Sequence, residues 1–392
     1  MTESGPGLGA LSGVRVLDFT HVFAGPFCTR TLADLGADVV HVETGSRGSG
    51  DRHRAAYAHR NKRSIALDLK NEAAHAVAAR MAMVADIIVE NFSSSVMRRL
   101  KLDYDALSPG NPRLIFVSMS GYGHTGPRRS WTSMNMNLQA YTGLMLTTGA
   151  EGDPPTAISN SWNDYIGGLN ATIAILQALA DRQRTGVGRN VDLSQFECSV
   201  ATLGALVMAS SASGKPPKRW GNRSSRNVPQ GVYPCAGEDE WCAITVETDQ
   251  QWASLAGVMG RPDLASDARL TTTIGRMRHH DMIDAAIAVW TREISPEEAE
   301  GRLRDAGVPA ERMRRADAVI GSSDSGGVYR PVSGDGRRVV QTASVPFSFS
   351  RSAVTPVTAA CQLGEHTREA LQDWLGMHDA EIDELDRQHA LV

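Results

Sequence analysis

Asp164 is the residue whose type and setting most invite chemistry. It stands in Ser161-Trp162-Asn163-Asp164-Tyr165-Ile166-Gly167-Gly168, between the loop 148–155 and the apolar run 171–179. That places a carboxylate near the start of a buried helix. Two uses fit it. One is an N-cap that accepts backbone N–H groups. The other is a nucleophile that attacks an activated acyl group and forms a covalent intermediate. A free aspartate, with a pKa of about 3.9, is already ionised at neutral pH and needs no general base. The second chemical cluster is basic: Arg52, Arg54, Arg60, Lys62 and Arg63. It is too small for the footprint of a nucleic acid. A phosphorylated small molecule or a solvated surface fits it equally well.

The elements that must position these groups alternate along the chain. Residues 13–19 read as a short buried strand. A helix follows from Ala24-Gly25-Pro26, with proline in its first turn, and stops at Gly36. Residues 37–43 form the next strand. Further strands are expected at 64–69, 86–90 and 114–119, with a helix from Asn71 to Met83. Such alternation predicts an α/β fold with a mostly parallel sheet covered on both faces. Ligands of such sheets sit beyond the carboxyl ends of the strands. Those ends supply His21, Asn91, Phe92 and the loop Tyr122-Gly123-His124. The first β-α-β unit imitates a dinucleotide fold. However, Thr20-His21-Val22-Phe23-Ala24-Gly25-Pro26 replaces the glycine-rich phosphate turn, which argues against nicotinamide or flavin.

The expected organisation is a large domain over 1–204, a linker over 205–230, a smaller α+β domain over 231–320, and a return linker with the C-terminal part of the large domain over 321–392. The 392 residues carry a formal charge of -4. Five cysteines at 28, 198, 235, 242 and 361 form no Cys-x-x-Cys pair, so neither a disulfide framework nor a structural metal site is expected. No apolar run approaches the ~20 residues of a membrane span, and the first ten residues lack a signal pattern. The expectation is a cytoplasmic protein without membrane or nucleic-acid partners.

With these residues placed, the chain resembles the family III CoA-transferases, a group that also holds the 2-methylacyl-CoA racemases. The likeness rests on Ala24-Gly25-Pro26, residues 35–43, Gly50-Asp51, Asn61-Lys62-Arg63-Ser64-Ile65, Glu90-Asn91-Phe92, Ser120-Gly121-Tyr122-Gly123, Gly126-Pro127, Thr185-Gly186-x-Gly188, Gly307-Val308-Pro309 and Leu363-Gly364-Glu365-His366-Thr367. The resemblance implies a Rossmann-like large domain, a small domain and an interlocked homodimer. It implies coenzyme A, as acyl-CoA, for a co-substrate, with no metal, NAD or flavin, and a small carboxylic acid as the other substrate.

By the same resemblance Asp164 is the nucleophile, acting through an aspartyl anhydride and an aspartyl-CoA thioester. His21 and Val22, Leu67 and Lys70, Asn91 and Phe92, and Arg99 match coenzyme contacts. Gly167 and Gly168 would let the reacting thioester come close. Two departures stand out. The interval after Gly50-Asp51 is short, and the glycine run that acts as a lid in the oxalate-type enzyme is missing. Gly221 and Asn222 are the nearest candidates for that region.

Racemisation is the rival within the family. It needs a positioned acid–base pair beside the thioester. Met134-Asn135 occupies the matching place, and neither side chain takes a proton from carbon. His124 lies ten residues earlier and is a candidate for a structural or substrate-facing role; Asn135 is a candidate for the substrate region. A non-catalytic acyl-CoA binding protein is the remaining alternative. The identity of the acids is left open.

Overall fold

A computed structural model describes residues 9–44, 57–321, 328–334, 338–354 and 358–392. Arg52, Arg54 and Gly50-Asp51 lie outside the described residues. The chain divides into two compact units. One holds the described residues up to Leu144, Ala157–Gly214 and the described residues from 328 on; the other holds Met145–Thr156 and 215–321.

The first unit is built on six strands: β1 (Arg15–Asp18), β2 (Asp38–Glu43), β3 (Arg63–Ala66), β4 (Ile87–Glu90), β5 (Ile115–Ser120) and β6 (Arg189–Ser194). They run in the order β3-β2-β1-β4-β5-β6, and every neighbouring pair is parallel. Successive strand residues point to opposite faces, so the apolar runs feed two cores. Leu17, Val40, Ile65 and Ile88 enter one, against helix α2 (Glu72–Val84) and the C-terminal helices Thr367–Leu375 and Asp379–Arg387. Val16, Val39, Ile87, Val89, Ile115 and Val117 enter the other. There they meet α1 (Ala24–Asp34) and α3 (Trp162–Thr185). Both faces are thus covered, as a parallel sheet requires. The tail returns to this unit: Val392 N–H donates to Ala66 O, and Asn71 Nδ2 to Gln388 O at 2.8 Å.

Helix Gly204–Ser213 runs well into the stretch expected to be linker from 205. Its Gly-Ala-Leu-Val-Met start favours a helix, and the turn residues begin only at Gly214, which caps it with φ 66°. The second unit has a three-stranded antiparallel sheet of β7 (Gln230–Pro234), β8 (Trp241–Thr245) and β9 (Ala310–Arg312). Its core is built on Trp252, Leu255, Ile283, Ile287 and Leu303. Residues 145–156 join this unit through a bond from Gly221 N–H to Gly149 O at 2.9 Å. Among the described residues no single helix is long and apolar enough to cross a membrane.

Candidate active site

The strand order reverses between β1 and β4, which leaves a crevice beyond their carboxyl ends. The residues leaving these two strands are stitched together there. His21 N–H donates to Asn91 Oδ1 at 2.7 Å, and Asn91 Nδ2 donates to His21 O at 2.7 Å. The His21 and Phe92 rings meet edge-on with centroids 5.0 Å apart. Val22 stands out at 68% exposure with φ 66°. A β-branched residue in the left-handed region is an outlier costing about 1–3 kcal/mol.

Beneath His21 lies a buried ionic knot. Asp18 is wholly buried at the end of β1. Its carboxylate accepts from Thr20 N–H at 2.8 Å, the Thr20 hydroxyl at 2.6 Å, the Thr29 hydroxyl at 2.6 Å and Lys62 Nζ at 3.0 Å. His41 Nδ1 is 3.4 Å away. Burial pushes the Asp18 carboxyl up, but Lys62 and His41 hold it well below the usual carboxylate range. Burial pulls the Lys62 ammonium down, opposed by Asp18.

A second buried carboxylate, Glu90, ends β4. Its Oε2 accepts Phe92 N–H at 2.8 Å. Its Oε1 lies 3.7 Å from His124 Nδ1. Burial raises its pKa above the ordinary value, against opposing hydrogen bonds from Ser118 and Phe92 and the nearby His124. Gly123, at φ 80°, makes the turn that delivers His124, a conformation that suits glycine.

Asp164 sits at the third position of α3 and is half-buried. The helix begins one residue after Ser161, so Ser161 holds the N-cap position and Asp164 does not. Asn160 and Ser161 both take left-handed backbones, φ 60° and 54°, and turn the chain sharply into the helix. A carboxylate in the first turn is favoured by the helix dipole. The starts of α3 and α1 pack together: the Tyr165 ring meets Phe23 at 5.0 Å and Phe27 at 4.9 Å. A Cβ on Gly168 would lie 2.8 Å from Ala24 O, and one on Gly167 3.0 Å from Gln195 Cγ. These two glycines therefore allow close helix packing. The packing brings the first turns of α3 to the helix whose first residue is three beyond His21.

The other expected site residues fall as follows. Leu67 is wholly buried in the core. Lys70 is exposed at the start of α2, its N–H bonded to Asp68 Oδ1 at 3.1 Å. Arg98 faces Asp103 at 3.6 Å, whereas Arg99 is exposed and its Nη1 reaches only its own turn, Ser95 Oγ at 3.4 Å. Asn135 Oδ1 accepts from the buried Gln139 at 3.1 Å. Gly221 and Asn222 belong to the second unit, where they line a cavity of about 820 Å³ with Trp220, Tyr233 and Arg292.

The basic cluster is corrected. Arg60 makes a fork to Asp34 at 3.1 and 2.7 Å, and Arg63 a fork to Asp38 at 3.0 and 2.6 Å. With Lys62 on Asp18, these three cations are paired with carboxylates of the sheet and α1. The reading of the sequence also missed Glu90 and the Asp18 knot. The available signal was an acid directly after the apolar residues Val16-Leu17 and Ile87-Ile88-Val89, because a buried charge demands partners.

The chain belongs to CoA-transferase family III, whose model matches residues 11–367. It is 37% identical over 300 residues to the acetyl-CoA:oxalate CoA-transferase of Acetobacter aceti, covering 73% of this chain and 77% of that one. It is 31% identical over 389 residues to the succinyl-CoA–D-citramalate CoA-transferase of Chloroflexus aurantiacus, covering 95% and 96%. The crystal structure of a CAIB/BAIF family protein from Brucella suis superposes with a TM-score of 0.87 at 29% identity, covering 94% of this chain and all of that one. The protein is an enzyme, a CoA-transferase.

Proposed function

We propose that the enzyme moves coenzyme A from an acyl-CoA donor to a small carboxylic acid, with Asp164 as the covalent nucleophile. The observation that carries this reading is the half-buried Asp164 carboxylate in the first turn of α3, next to Tyr165, whose ring packs on Phe27 of α1. Its carboxylate attacks the thioester carbonyl and expels the coenzyme A thiolate, giving a mixed anhydride. The thiolate attacks the aspartyl carbonyl, releasing the donor acid and leaving an aspartyl thioester. The acceptor carboxylate displaces the thiolate, forming a second anhydride. Thiolate attack on the acceptor's acyl carbon then frees Asp164 and the new acyl-CoA. A carboxylate is a weak nucleophile, so binding energy from the coenzyme must supply orientation and exclude water.

His21, Val22, Lys70, Asn91, Phe92 and Arg99 are assigned to the coenzyme, with Leu67 contributing from the core edge. The His21–Asn91 bridge at the switch point supports this. His124, Asn135, Gly221 and Asn222 are assigned to the substrate or lid region. Oxalate and citramalate are named for the relatives above, so small di- or hydroxy-carboxylates head the acceptor panel.

The partner protein is a second copy. On α3, Leu169, Ile173 and Leu176 expose one apolar stripe, and helix Gly204–Ser213 has no buried residue, with Met208 75% exposed. Faces of this kind mark an interface, here the interlocked homodimer, burying more than about 2,000 Å². Five unpaired cysteines fit a reducing compartment such as the cytoplasm.

Two measurements test the reading. Mass spectrometry after incubation with an acyl-CoA should find a coenzyme A adduct on Asp164. Deuterium uptake at the α-carbon without an adduct would instead mean racemisation. Sedimentation at sub-micromolar concentration should give a dimer; a folded, active monomer refutes the interface.

A further inference from the structure

We propose that Glu90 and His124 form a one-proton clamp on the backbone of Phe92, which sets the affinity for coenzyme A. The proposal rests on the reading of Asn91-Phe92 as a coenzyme contact. Phe92 is held on both sides of its peptide unit. Its N–H donates to Glu90 Oε2 at 2.8 Å, and its carbonyl lies 3.3 Å from His124 Nε2. A carbonyl only accepts, so Nε2 carries a hydrogen. That leaves His124 Nδ1 facing Glu90 Oε1 at 3.7 Å. Glu90 Oε1 is buried and has no hydrogen-bond partner among the described residues. A lone pair facing a carboxylate oxygen repels, whereas one proton resident between them turns the contact attractive.

The surroundings allow that proton to stay. No lysine or arginine among the described residues pairs with Glu90. Ser118 from β5 favours the charged form, and Asp192 from β6 adds a repulsive negative charge. Arg98, Asp103, Tyr104, Asp105 and Arg129 face it across a cavity of about 340 Å³. Burial and Asp192 favour the uncharged acid. The histidine is itself held on a rigid frame, since His124 N–H donates to Asp192 Oδ1 at 2.8 Å. Through the Phe92 ring against His21, a loosened clamp frees both sides of the switch-point crevice. Glu90 and His124 are positioning residues in this scheme: they act through Phe92.

The test is the dissociation constant of coenzyme A from the full-length protein, measured calorimetrically from about pH 5 to about pH 9. In the wild type it should rise about tenfold as the clamp proton is lost and the attractive contact turns repulsive. In Glu90→Gln the amide hydrogen cannot be lost, and the profile should lack that rise relative to the wild type. His124→Ala should weaken binding about tenfold at the low-pH end. If E90Q keeps the wild-type rise, the clamp is overturned even if H124A misfolds, because E90Q is nearly isosteric. Phe92→Ala separates the two levels. If F92A leaves affinity unchanged, the coenzyme reading of this loop falls and takes the proposal with it. If F92A weakens binding while E90Q still shows the rise, only the clamp is wrong.

Discussion

Asp18 and Glu90 end neighbouring parallel strands, and both are wholly buried. Yet they titrate in opposite directions. Asp18 has an ammonium, two hydroxyls and a backbone N–H around it and is held ionised. Glu90 has a backbone N–H, a serine, an imidazole and another carboxylate nearby, and burial raises its pKa. Equal burial thus goes with opposite pKa shifts, and the partners decide. Asp18 with Lys62 is a rigid base under the crevice; Glu90 with His124 is an adjustable wall. Asp164, half-buried at a helix start, belongs to neither kind and is the one assigned to chemistry.

The sharpest way to break this division is Asp164→Ala. Loss of the nucleophile should lower kcat by more than about a thousandfold. Folding should change by only about 0.3–1 kcal/mol, the loss of a favourable charge in the first helical turn. Steady-state kinetics and a thermal melt of the same sample check both halves. Near-normal turnover would return the carboxylate to a structural role.

Next in size is Lys62→Met. It strands a buried carboxylate and should destabilise the first unit by about 3–5 kcal/mol, measurable by urea unfolding. The pH dependence should separate the two acids. The Asp18 pKa is depressed in the fold, so its contribution is present above the unfolded value near 3.8 and is lost as pH falls through the lower folded value. The Glu90 pKa is raised, so its contribution is full below about 4.5 and is lost as pH rises through the folded value. E90Q should therefore remove a loss of stability that sets in as pH rises above about 4.5, whereas K62M should blunt the loss as pH falls below about 3.8. Identical pH–stability curves for wild type and both variants would mean that the two acids do not differ as described.

How much of this was legible depended on distance along the chain. Five of the six central strands hold short apolar runs and could be read directly, whereas β6 (Arg189–Ser194) alternates polar and apolar residues and went unread. Asp164 was visible because a carboxylate precedes an apolar run, but its helical position hung on Asn160 and Ser161 adopting left-handed backbones, which neither residue type demands. The Glu90–His124 contact joins residues 34 positions apart and depends on the register of β4 with β5. The ionic partners of Arg60, Lys62 and Arg63 lie on α1, β1 and β2, so a one-dimensional reading saw only a basic patch. Helix Asp379–Arg387 went unread because only Ile382 and Leu385 in it are buried, too sparse an apolar pattern to assert itself.

A smaller effect is expected at the coenzyme wall. His21→Ala and Arg99→Ala should each raise the dissociation constant for coenzyme A roughly tenfold to a hundredfold, the value of one charge-assisted hydrogen bond at about 1.5–3 kcal/mol. The Asn91 amide bridges to His21 through backbone atoms, so H21A should keep the crevice shape and lose only the ring. Titration calorimetry with coenzyme A decides it. Unchanged constants in both variants would show that the groove lies on other residues.

The smallest expected effect is none. Met134→His with Asn135→Asp puts an acid–base pair at the place that matches the racemase pair, yet it should not create racemase activity above background in an α-carbon deuterium exchange assay. Met134 is 67% exposed at the N-cap of helix Asn135–Thr142, so an imidazole there begins in solvent. Asn135 Oδ1 accepts from Gln139, which is itself fixed by two bonds to the Ile158 backbone at 2.8 Å. An aspartate at 135 would inherit that amide and be held by it. A proton-transfer pair must reach the α-carbon hydrogen within hydrogen-bonding distance, and small misplacements cost rate steeply. Exchange well above the single-site controls would show that the carboxylate at Asp164 serves proton chemistry as readily as acyl transfer.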